Sequence, residues 1–188
     1  MSLAFFGGTF NPPHKGHEKI IEFCYKKFNQ LIIIPNSVSP HKIKNPPILE
    51  THRLKMLNLI IGSKNIEIDT FEFDSNKKNY TYYTLKYLIQ KYQNSNIYMV
   101  IGEDQLANLH NWYKIDFILD NVNIVCFKRN DSYIKNEMIK NIEYIPFNHS
   151  VSSSKIREML RENIGLNDNM MSNEVYEYIK HNNLYKES

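Results

Sequence analysis

Two histidines stand in the stretch of this sequence that is densest in special residues. The segment Gly7 to His17 has the sequence GGTFNPPHKGH and follows the apolar run LAFF. Because His14 and His17 are three positions apart, they lie on one side of a loop or of a first helical turn. Two imidazoles placed there can donate hydrogen bonds to phosphate oxygens and stabilise the charge that develops in phosphoryl or nucleotidyl transfer. An isolated H-x-x-H is better interpreted as a metal pair or as helix caps, but the neighbouring GGTF favours phosphate chemistry.

The glycines before the histidines support that interpretation. Gly7 and Gly8 remove side chains where backbone N–H groups can approach a phosphate, and the following helix adds the positive end of its dipole. A tight turn between a strand and a helix is the alternative for two glycines alone. The spacing does not match the G-x-G-x-x-G dinucleotide fingerprint, and no phosphate-loop motif of the G-x-x-x-x-G-K-[ST] type occurs in the sequence.

Short apolar runs alternate with amphipathic segments along the whole chain, and their order predicts a fold class. Connections too long for hairpins predict a parallel sheet covered by helices on both faces, an α/β fold with a single doubly wound, Rossmann-like domain over residues 1–188. The predicted strands are residues 3–6, 31–35, 66–73, 97–102, 122–127 and 142–147, and the predicted helices are residues 17–28, 52–61, 81–92, 103–109, 113–119, 153–163 and 173–182.

Composition excludes several classes of protein. Of 188 residues, 42% are hydrophobic and 23% charged, and the net charge is +3, which is typical of a globular enzyme for small anionic molecules. The sequence has no basic block of the kind that marks a nucleic-acid binder. It also has no apolar run long enough to span a membrane and no leader for export, so neither membrane insertion nor export is expected. Cys24 and Cys126 match no metal or redox spacing, so a reduced cytoplasmic protein is expected, with a disulfide the alternative.

Four unusual loops are predicted to meet at one edge of the sheet. In a doubly wound fold, ligands bind at the carboxyl ends of the strands. The GGTFNPPHKGH loop leaves the first strand at that edge, PNSVSPHK follows the second, GED follows the strand ending at Ile101, and VSSS follows the last strand. Their convergence predicts the location of the functional site.

These motifs together resemble the H-x-G-H nucleotidyltransferase superfamily and, within it, the bacterial-type nicotinate mononucleotide adenylyltransferase family. The motifs occur in the order of that family and cover nearly the whole chain: GGTFNPPHKGH, PNSVSPHK, HRLKML, YTYYTL, IGEDQLANLHNWYKID, VSSSKIRE and YIKHNNLY. The resemblance implies that the 5′-phosphate of nicotinate mononucleotide attacks the α-phosphorus of ATP, which yields nicotinate adenine dinucleotide and pyrophosphate in NAD biosynthesis. It also implies that Mg²⁺ arrives with the ATP phosphates and that no metal is held by a dedicated protein cage.

By motif position, the resemblance assigns an ATP-binding set in which His17 and His14 are catalytic, with His17 the stabiliser of the α-phosphate. Ser152 to Ser154 begin a helix, which an ordinary N-cap would also explain, and Arg157 adds charge for the departing pyrophosphate. C-terminal helices, over about residues 152–188, are expected to complete the ATP site. The full set is Gly7, Gly8, Thr9, Phe10, His14, His17, Lys42, Gly102, Asp104, Ser152, Ser153, Ser154 and Arg157, with His41 beside Lys42.

The resemblance also assigns an acceptor-binding set. Trp112, the only tryptophan in the sequence, corresponds to the residue that stacks on the pyridine ring in the family, and such an aromatic suits an electron-poor heterocycle. Asp104 is equally compatible with capping a helix. The full set is Asn36, Tyr80, Thr81, Thr84, Asp104 and Trp112.

The sequence departs from the family pattern at four points. Asn11 stands where aspartate is frequent, Ser39 replaces a common proline, Ser154 replaces threonine with the hydroxyl retained, and KRND lacks the usual Pro-Gly. None of these departures affects His14, His17 or Trp112.

Three alternative functions remain at the level of sequence. Nicotinamide mononucleotide as acceptor, or dual specificity, is one, since backbone N–H groups can bind a carboxylate without any side-chain signature. A pantetheine-phosphate adenylyltransferase or a cytidylyltransferase shares the first loop, but YTYYTL and the Trp112 region favour a pyridine nucleotide. A non-catalytic nucleotide-binding protein is disfavoured by intact His14, His17 and Arg157. The sequence carries no signal for oligomeric state.

Overall fold

The apolar runs of the sequence form one sheet of six parallel strands. The computed structural model describes residues 1–37, 47–74, 80–128 and 139–186. The strand order is β3-β2-β1-β4-β5-β6, the order of the dinucleotide-binding doubly wound fold, so the predicted fold class is confirmed. The strands are β1 (Ser2–Gly8), β2 (Gln30–Pro35), β3 (Glu67–Ile68), β4 (Asn96–Gly102), β5 (Asn123–Lys128) and β6 (Ile142–Pro146).

Helices connect the strands and follow the last one. They are α1 (Lys15–Lys27), α2 (Glu50–Ile61), α3 (Phe71–Asp74), α4 (Thr81–Lys91), α5 (Glu103–Ala107), α6 (Ile115–Asn121), α7 (Ser153–Arg161) and α8 (Asn173–His181), with a 3₁₀ turn at Leu109–Asn111. Helix α1 begins two residues before the predicted position because His14 caps it. In the described residues, no helix combines the length and the apolar character that crossing a membrane requires.

Alternating side chains of β1 face two separate cores, which is why both faces of the sheet carry helices. Leu3 and Phe5 pack with Leu85 and Leu88 of α4 on one face. Ala4 and Phe6 pack on the other face with α1 and α2. The two cysteines lie in different cores and form no disulfide, and burial raises the pKa of each thiol to about 12. Each therefore behaves as a small apolar side chain.

A third, smaller core attaches the C-terminal helices to the domain. Met56 on α2 is completely buried there against Ile156 of α7 and against Val175 and Ile179 of α8. His52 of α2 and Tyr178 of α8 are also paired, with 2.9 Å between Nδ1 and the hydroxyl oxygen. This packing brings the start of α7 to the strand edge at which β1 ends.

The predicted third strand was wrong over most of its length. Only Glu67–Ile68 pairs with β2, and the chain then turns into α3 at Phe71. The turn is held by Asp69, whose Oδ1 accepts from the N–H of Phe71 at 2.9 Å and whose Oδ2 accepts from Tyr87 and Lys91. Alternation of apolar and charged residues predicted a strand here, but the local hydrogen bonds of the aspartate favour a turn.

Candidate active site

Strands β1, β2 and β4 end at one wide cleft, as the loop positions predicted. The cleft has a volume of about 1410 Å³ when its open, solvent-filled mouth is included, and the first turn of α7 forms part of its wall. Of the predicted ATP-binding residues, Lys42 lies outside the described residues, as does His41. The structure brings all the others to the cleft: Gly7, Gly8, Thr9, Phe10, His14, His17, Gly102, Asp104, Ser152, Ser153, Ser154 and Arg157.

The two histidines form a capping box at the start of α1. His14 is the N-cap, and its Nδ1 accepts from the N–H of Gly16 at 3.1 Å. The Nδ1 atom of His17 accepts in turn from the N–H of His14 at 3.2 Å, and the two rings stack with centroids 3.8 Å apart. Since an Nδ1 that accepts carries no proton, each neutral imidazole has its proton on Nε2. Helix capping and phosphate binding are therefore compatible, because the capping bonds leave both rings with a donor at the other nitrogen.

The glycine of the H-x-G-H motif is required by the ring of the first histidine. A Cβ atom on Gly16 would lie 2.9 Å from Cε1 of His14, a contact that side chains do not make. Gly8 serves a similar purpose, since a Cβ there would lie 3.0–3.3 Å from the ring of Phe10. These glycines therefore make room for neighbouring rings, a role that phosphate approach alone did not predict.

The ring of Phe10 packs against the ring of His17. Its ring is 1% exposed and meets the ring of His17 edge-on at 4.9 Å, although its φ of 48° is uncommon for a large side chain. A strained backbone of this kind persists only where the surrounding packing determines it. Burial of the Phe10 ring thus fixes the position of the His17 ring at the cleft.

The first turn of α7 is tied to the same loop. Ser152 is the N-cap of α7, while the hydroxyl of Ser153 donates to the carbonyl of Pro12 at 2.8 Å. Arg157 donates to the carbonyl of Asn11 at 2.6 Å, and its pKa is lowered by burial, though a guanidinium remains charged. The predicted N-cap at this helix is confirmed. Ser153 and Arg157 also organise the loop around the histidines.

A buried arginine that the motifs did not single out joins the first two loops. Arg53 of α2 is 0% exposed, and its Nη1 donates to the carbonyls of Thr9 at 2.9 Å and of Asn36 at 2.6 Å. Further bonds reach the carbonyls of Ser37 and Ile48, and the guanidinium lies over the ring of Phe73. This single side chain therefore fixes the ends of β1 and β2 relative to each other.

A smaller cavity adjoins the cleft between α4 and the sheet. Its volume is about 440 Å³ when the space open to solvent is included, and Thr81, Thr84 and Trp112 of the predicted acceptor set line it, as does Asn36. Tyr80 and Asp104 are not brought into it: Tyr80 packs on Tyr113, and Asp104 lines the larger cleft. Nor does Asp104 cap α5, whose N-cap is Gly102.

The cavity contains a buried carboxyl group. Glu72 is 6% exposed, and its Oε1 accepts from the hydroxyl of Thr84 at 2.7 Å. Burial raises the pKa of Glu72 above its ordinary value, and the hydrogen bond from Thr84 offsets only part of that effect. Thr84 therefore presents its hydroxyl to a protein acceptor, and its methyl group contributes to the wall.

The two spaces meet at three residues. Gly7, Asn36 and Gln105 line both the cleft and the cavity, so ligands in the two spaces would face each other there. Gln105 was missed at the level of sequence; its Oε1 accepts from the N–H of Gly102 at 3.2 Å. Glu72 and Arg53 were missed as well, the first because its segment was taken as a strand and the second because a basic residue within a helix is usually exposed.

Comparisons with known proteins show the family and the fold to which the chain is similar. The model of the cytidylyltransferase-like family matches residues 5–159. A curated relative from Bacillus licheniformis, named "Probable nicotinate-nucleotide adenylyltransferase", is 33% identical over 187 residues, or 98% of each chain. A Clostridium botulinum protein of the same name is 34% identical over 201 residues, covering 99% of this chain and 100% of its own. The Plasmodium falciparum nicotinic acid mononucleotide adenylyltransferase complexed with NaAD shares the fold, with a TM-score of 0.82 at 20% identity over 98% of this chain and 97% of its own.

Proposed function

Because the chain belongs to the cytidylyltransferase-like family and, within it, to the nicotinate-nucleotide adenylyltransferases, we propose that it transfers the adenylyl group of ATP to nicotinate mononucleotide. The products are nicotinate adenine dinucleotide and pyrophosphate, and the reaction is a step of NAD biosynthesis.

One observation carries this proposal: the cleft and the cavity are adjacent and share Gly7, Asn36 and Gln105 in their linings. ATP in the cleft and a mononucleotide in the cavity would meet with their phosphates at this junction, beside the paired histidines. Alignment of two reactants in this way can supply a large part of the rate enhancement without a covalent intermediate.

The chemical step needs charge stabilisation more than proton transfer. An oxygen of the acceptor's 5′-phosphate forms a bond to the α-phosphorus of ATP while the bond from that phosphorus to the oxygen bridging to the β-phosphate breaks. Pyrophosphate leaves with the electron pair. The Nε2–H groups of His14 and His17 would donate to the α-phosphate as negative charge accumulates, and Arg157 would attract the pyrophosphate.

The acceptor's ring would lie in the smaller cavity. Trp112 offers an aromatic face of the kind that stacks on a pyridine ring, and Thr81 and Thr84 of α4 also line the cavity. Apolar strand residues such as Met99 and Ile101 complete the lining and exclude water from the ring.

Mg²⁺ is expected to enter bound to the ATP phosphates, whose charge it partly neutralises. Among the described residues there is no group of three or more histidine, cysteine or acidic side chains that could hold a metal ion. Asp104 contributes a carboxylate to the lining of the cleft. Such a site suits an ion that keeps several waters and is held chiefly by substrate phosphates.

We also infer that the C-terminal helices complete the ATP site, because the start of α7 closes the cleft and α8 anchors α7 through their shared core. A cytoplasmic location accords with two buried cysteines that form no disulfide.

The test is Mg·ATP-dependent release of pyrophosphate with nicotinate mononucleotide, nicotinamide mononucleotide or pantetheine phosphate supplied separately. Release with nicotinate mononucleotide well above the other two, reduced about 10²- to 10³-fold by His17→Ala, supports the proposal. Comparable rates with both pyridine nucleotides would instead define a dual-specificity enzyme. Release only with pantetheine phosphate, or with none, would overturn the assignment.

A further inference from the structure

The C-terminal end of the described chain returns to the first loop. After α8 the chain turns at Leu184, whose N–H donates to the carbonyl of Ile179 at 3.0 Å. The next residue, Tyr185, reaches the loop that begins α1: its hydroxyl lies 2.7 Å from Oδ1 of Asn11, 174 positions earlier in the sequence. A long-range hydrogen bond therefore links the C-terminal turn to the loop that leads into His14 and the start of α1.

The hydrogen bonds around Asn11 fix the direction of its amide. The N–H of Ile48, which can only donate, lies 3.4 Å from Oδ1 of Asn11, so the oxygen must face this side and Tyr185 must donate its proton. Asn11 is itself a lining residue of the cleft. A bond that fixes the Asn11 side chain therefore fixes part of the cleft wall.

Tyr185 is set up to act only as a donor here. Burial raises the pKa of its phenol well above the ordinary value, although the nearby guanidinium groups of Arg157 and Arg53 partly oppose that effect. The backbone carbonyl of the same Asn11 accepts from Arg157. Asn11 is thus held at two atoms, at its backbone by α7 and at its side chain by the C-terminal turn.

We propose that Tyr185 is a positioning residue for ATP binding, which acts by fixing the Asn11 amide and the first loop against the cleft. The inference rests on the proposed function only in taking the cleft as the ATP site. It extends that function to a residue that does not line the cleft and stands at the opposite end of the sequence.

The test is equilibrium binding of Mg·ATP, measured by calorimetry without an acceptor. Tyr185→Phe removes one hydroxyl and leaves the ring in place, so we expect the dissociation constant for ATP to rise about fivefold. Tyr178→Phe is the matched control: it removes a hydroxyl paired with His52 at 2.9 Å, in the same C-terminal region but outside the cleft. We expect the control to lower the melting temperature by a similar amount and to leave ATP affinity unchanged.

A double-mutant cycle separates positioning from general stability. In an Asn11→Ala background, Tyr185→Phe should have no further effect on ATP affinity, because its partner is gone. Unchanged affinity in Tyr185→Phe, an equal loss in Tyr178→Phe, or additive effects with Asn11→Ala would each overturn the proposal. Since the wild-type chain is tested for ATP binding apart from turnover, inactivity toward nicotinate mononucleotide would contradict the proposed function and leave this result standing.

Discussion

At the scale of single residues, His14 both caps a helix and lines the cleft, and a substitution can remove one of these roles while keeping the other. As the N-cap of α1 it satisfies the N–H of Gly16 through Nδ1, and as a lining residue of the cleft it carries an N–H donor at Nε2. An asparagine can perform the first duty, since its side-chain oxygen caps helices well, but its amide does not reach where Nε2 lies.

We therefore predict that His14→Asn keeps stability within about 0.5 kcal/mol of the wild type and lowers kcat for adenylyl transfer about 10²-fold. His14→Ala should lose the same activity and, in addition, about 1 kcal/mol of unfolding free energy, because the cap is gone. Urea unfolding and pyrophosphate release check the two effects independently. Wild-type turnover in His14→Asn would show that the ring does no more than cap the helix.

The sequence identified site residues of unusual type, such as the glycines and histidines of the first loop. It did not identify residues that become unusual only because the fold buries them. GGTFNPPHKGH located the histidines and the glycines because those residue types have few structural alternatives. Arg53 gave no such signal: it is one of 23 basic residues, and only the convergence of the ends of β1 and β2 buries it. Its partners are backbone carbonyls, which leave no trace in sequence.

At the scale of elements, the loop that carries Trp112 is attached to α4 by a group of tyrosines. Tyr113 packs against Tyr80 with ring centroids 4.9 Å apart and against Tyr82 at 5.6 Å. Tyr82 also meets Phe117 of α6 edge-on at 5.0 Å. Since Trp112 and Thr81 line the cavity from these two elements, the tyrosine contacts set the width of the cavity.

Loss of the Tyr113 ring should therefore loosen the acceptor site and spare the ATP site. We predict that Tyr113→Ala raises KM for the acceptor about tenfold, given that each aromatic pair contributes about 0.5–1.5 kcal/mol, and leaves KM for ATP unchanged. Tyr113→Phe keeps the ring and loses only the hydroxyl that bonds to Tyr83, so it should stay much closer to the wild-type values than Tyr113→Ala.

The control is Tyr25→Ala, which removes a similarly exposed tyrosine from α1, a helix that contributes no residue to the cavity lining. Steady-state kinetics with each substrate varied in turn give the result. An equal rise of both KM values in Tyr113→Ala would contradict a role confined to the acceptor.

Strands and helices were predicted correctly where the sequence follows a single periodicity. The prediction failed where an alternating pattern competed with a local turn signal. The buried runs of β1, β2, β4 and β5 and the amphipathic α1 and α8 follow from their patterns. The segment IEIDTFEF alternates as a strand does, yet Asp69 ends the strand by bonding to the N–H of Phe71. Glu72 of the same segment consequently lines the acceptor cavity, a position that the predicted strand did not indicate.

At the scale of the whole molecule, the site is assembled from opposite ends of the chain, and we expect its buried carboxyl group to lower the stability of the fold. The sheet order places the ends of β1, β2 and β4 side by side, and the core shared by α2, α7 and α8 carries residues 152–157 and Tyr185 back to the first loop. The topology and the approach of residues 152–157 to the first loop were predicted, but the contact of Tyr185 with that loop was not, because it depends on how the C-terminal helices pack.

Glu72 is the residue at which that loss of stability can be measured. Its pKa is raised in the folded state by burial, so between the pKa of the unfolded chain, about 4.3, and the raised folded pKa, the folded protein binds more protons than the unfolded one. Stability therefore falls as pH rises through this window. Glu72→Gln keeps an oxygen that can accept from Thr84 and removes the charge.

We predict that Glu72→Gln is more stable than the wild type at pH 7 by on the order of 1 kcal/mol and that the difference closes toward pH 4, where Glu72 is protonated and also neutral. Urea unfolding between pH 4 and 7 measures this, with Glu177→Gln on the exposed surface of α8 as the control that should show no such trend. If the difference in unfolding free energy between the variant and the wild type stayed constant with pH, the charge of Glu72 would not destabilise the folded state. If the prediction holds and acceptor KM rises in the same variant, the carboxylate is retained for binding at the expense of stability.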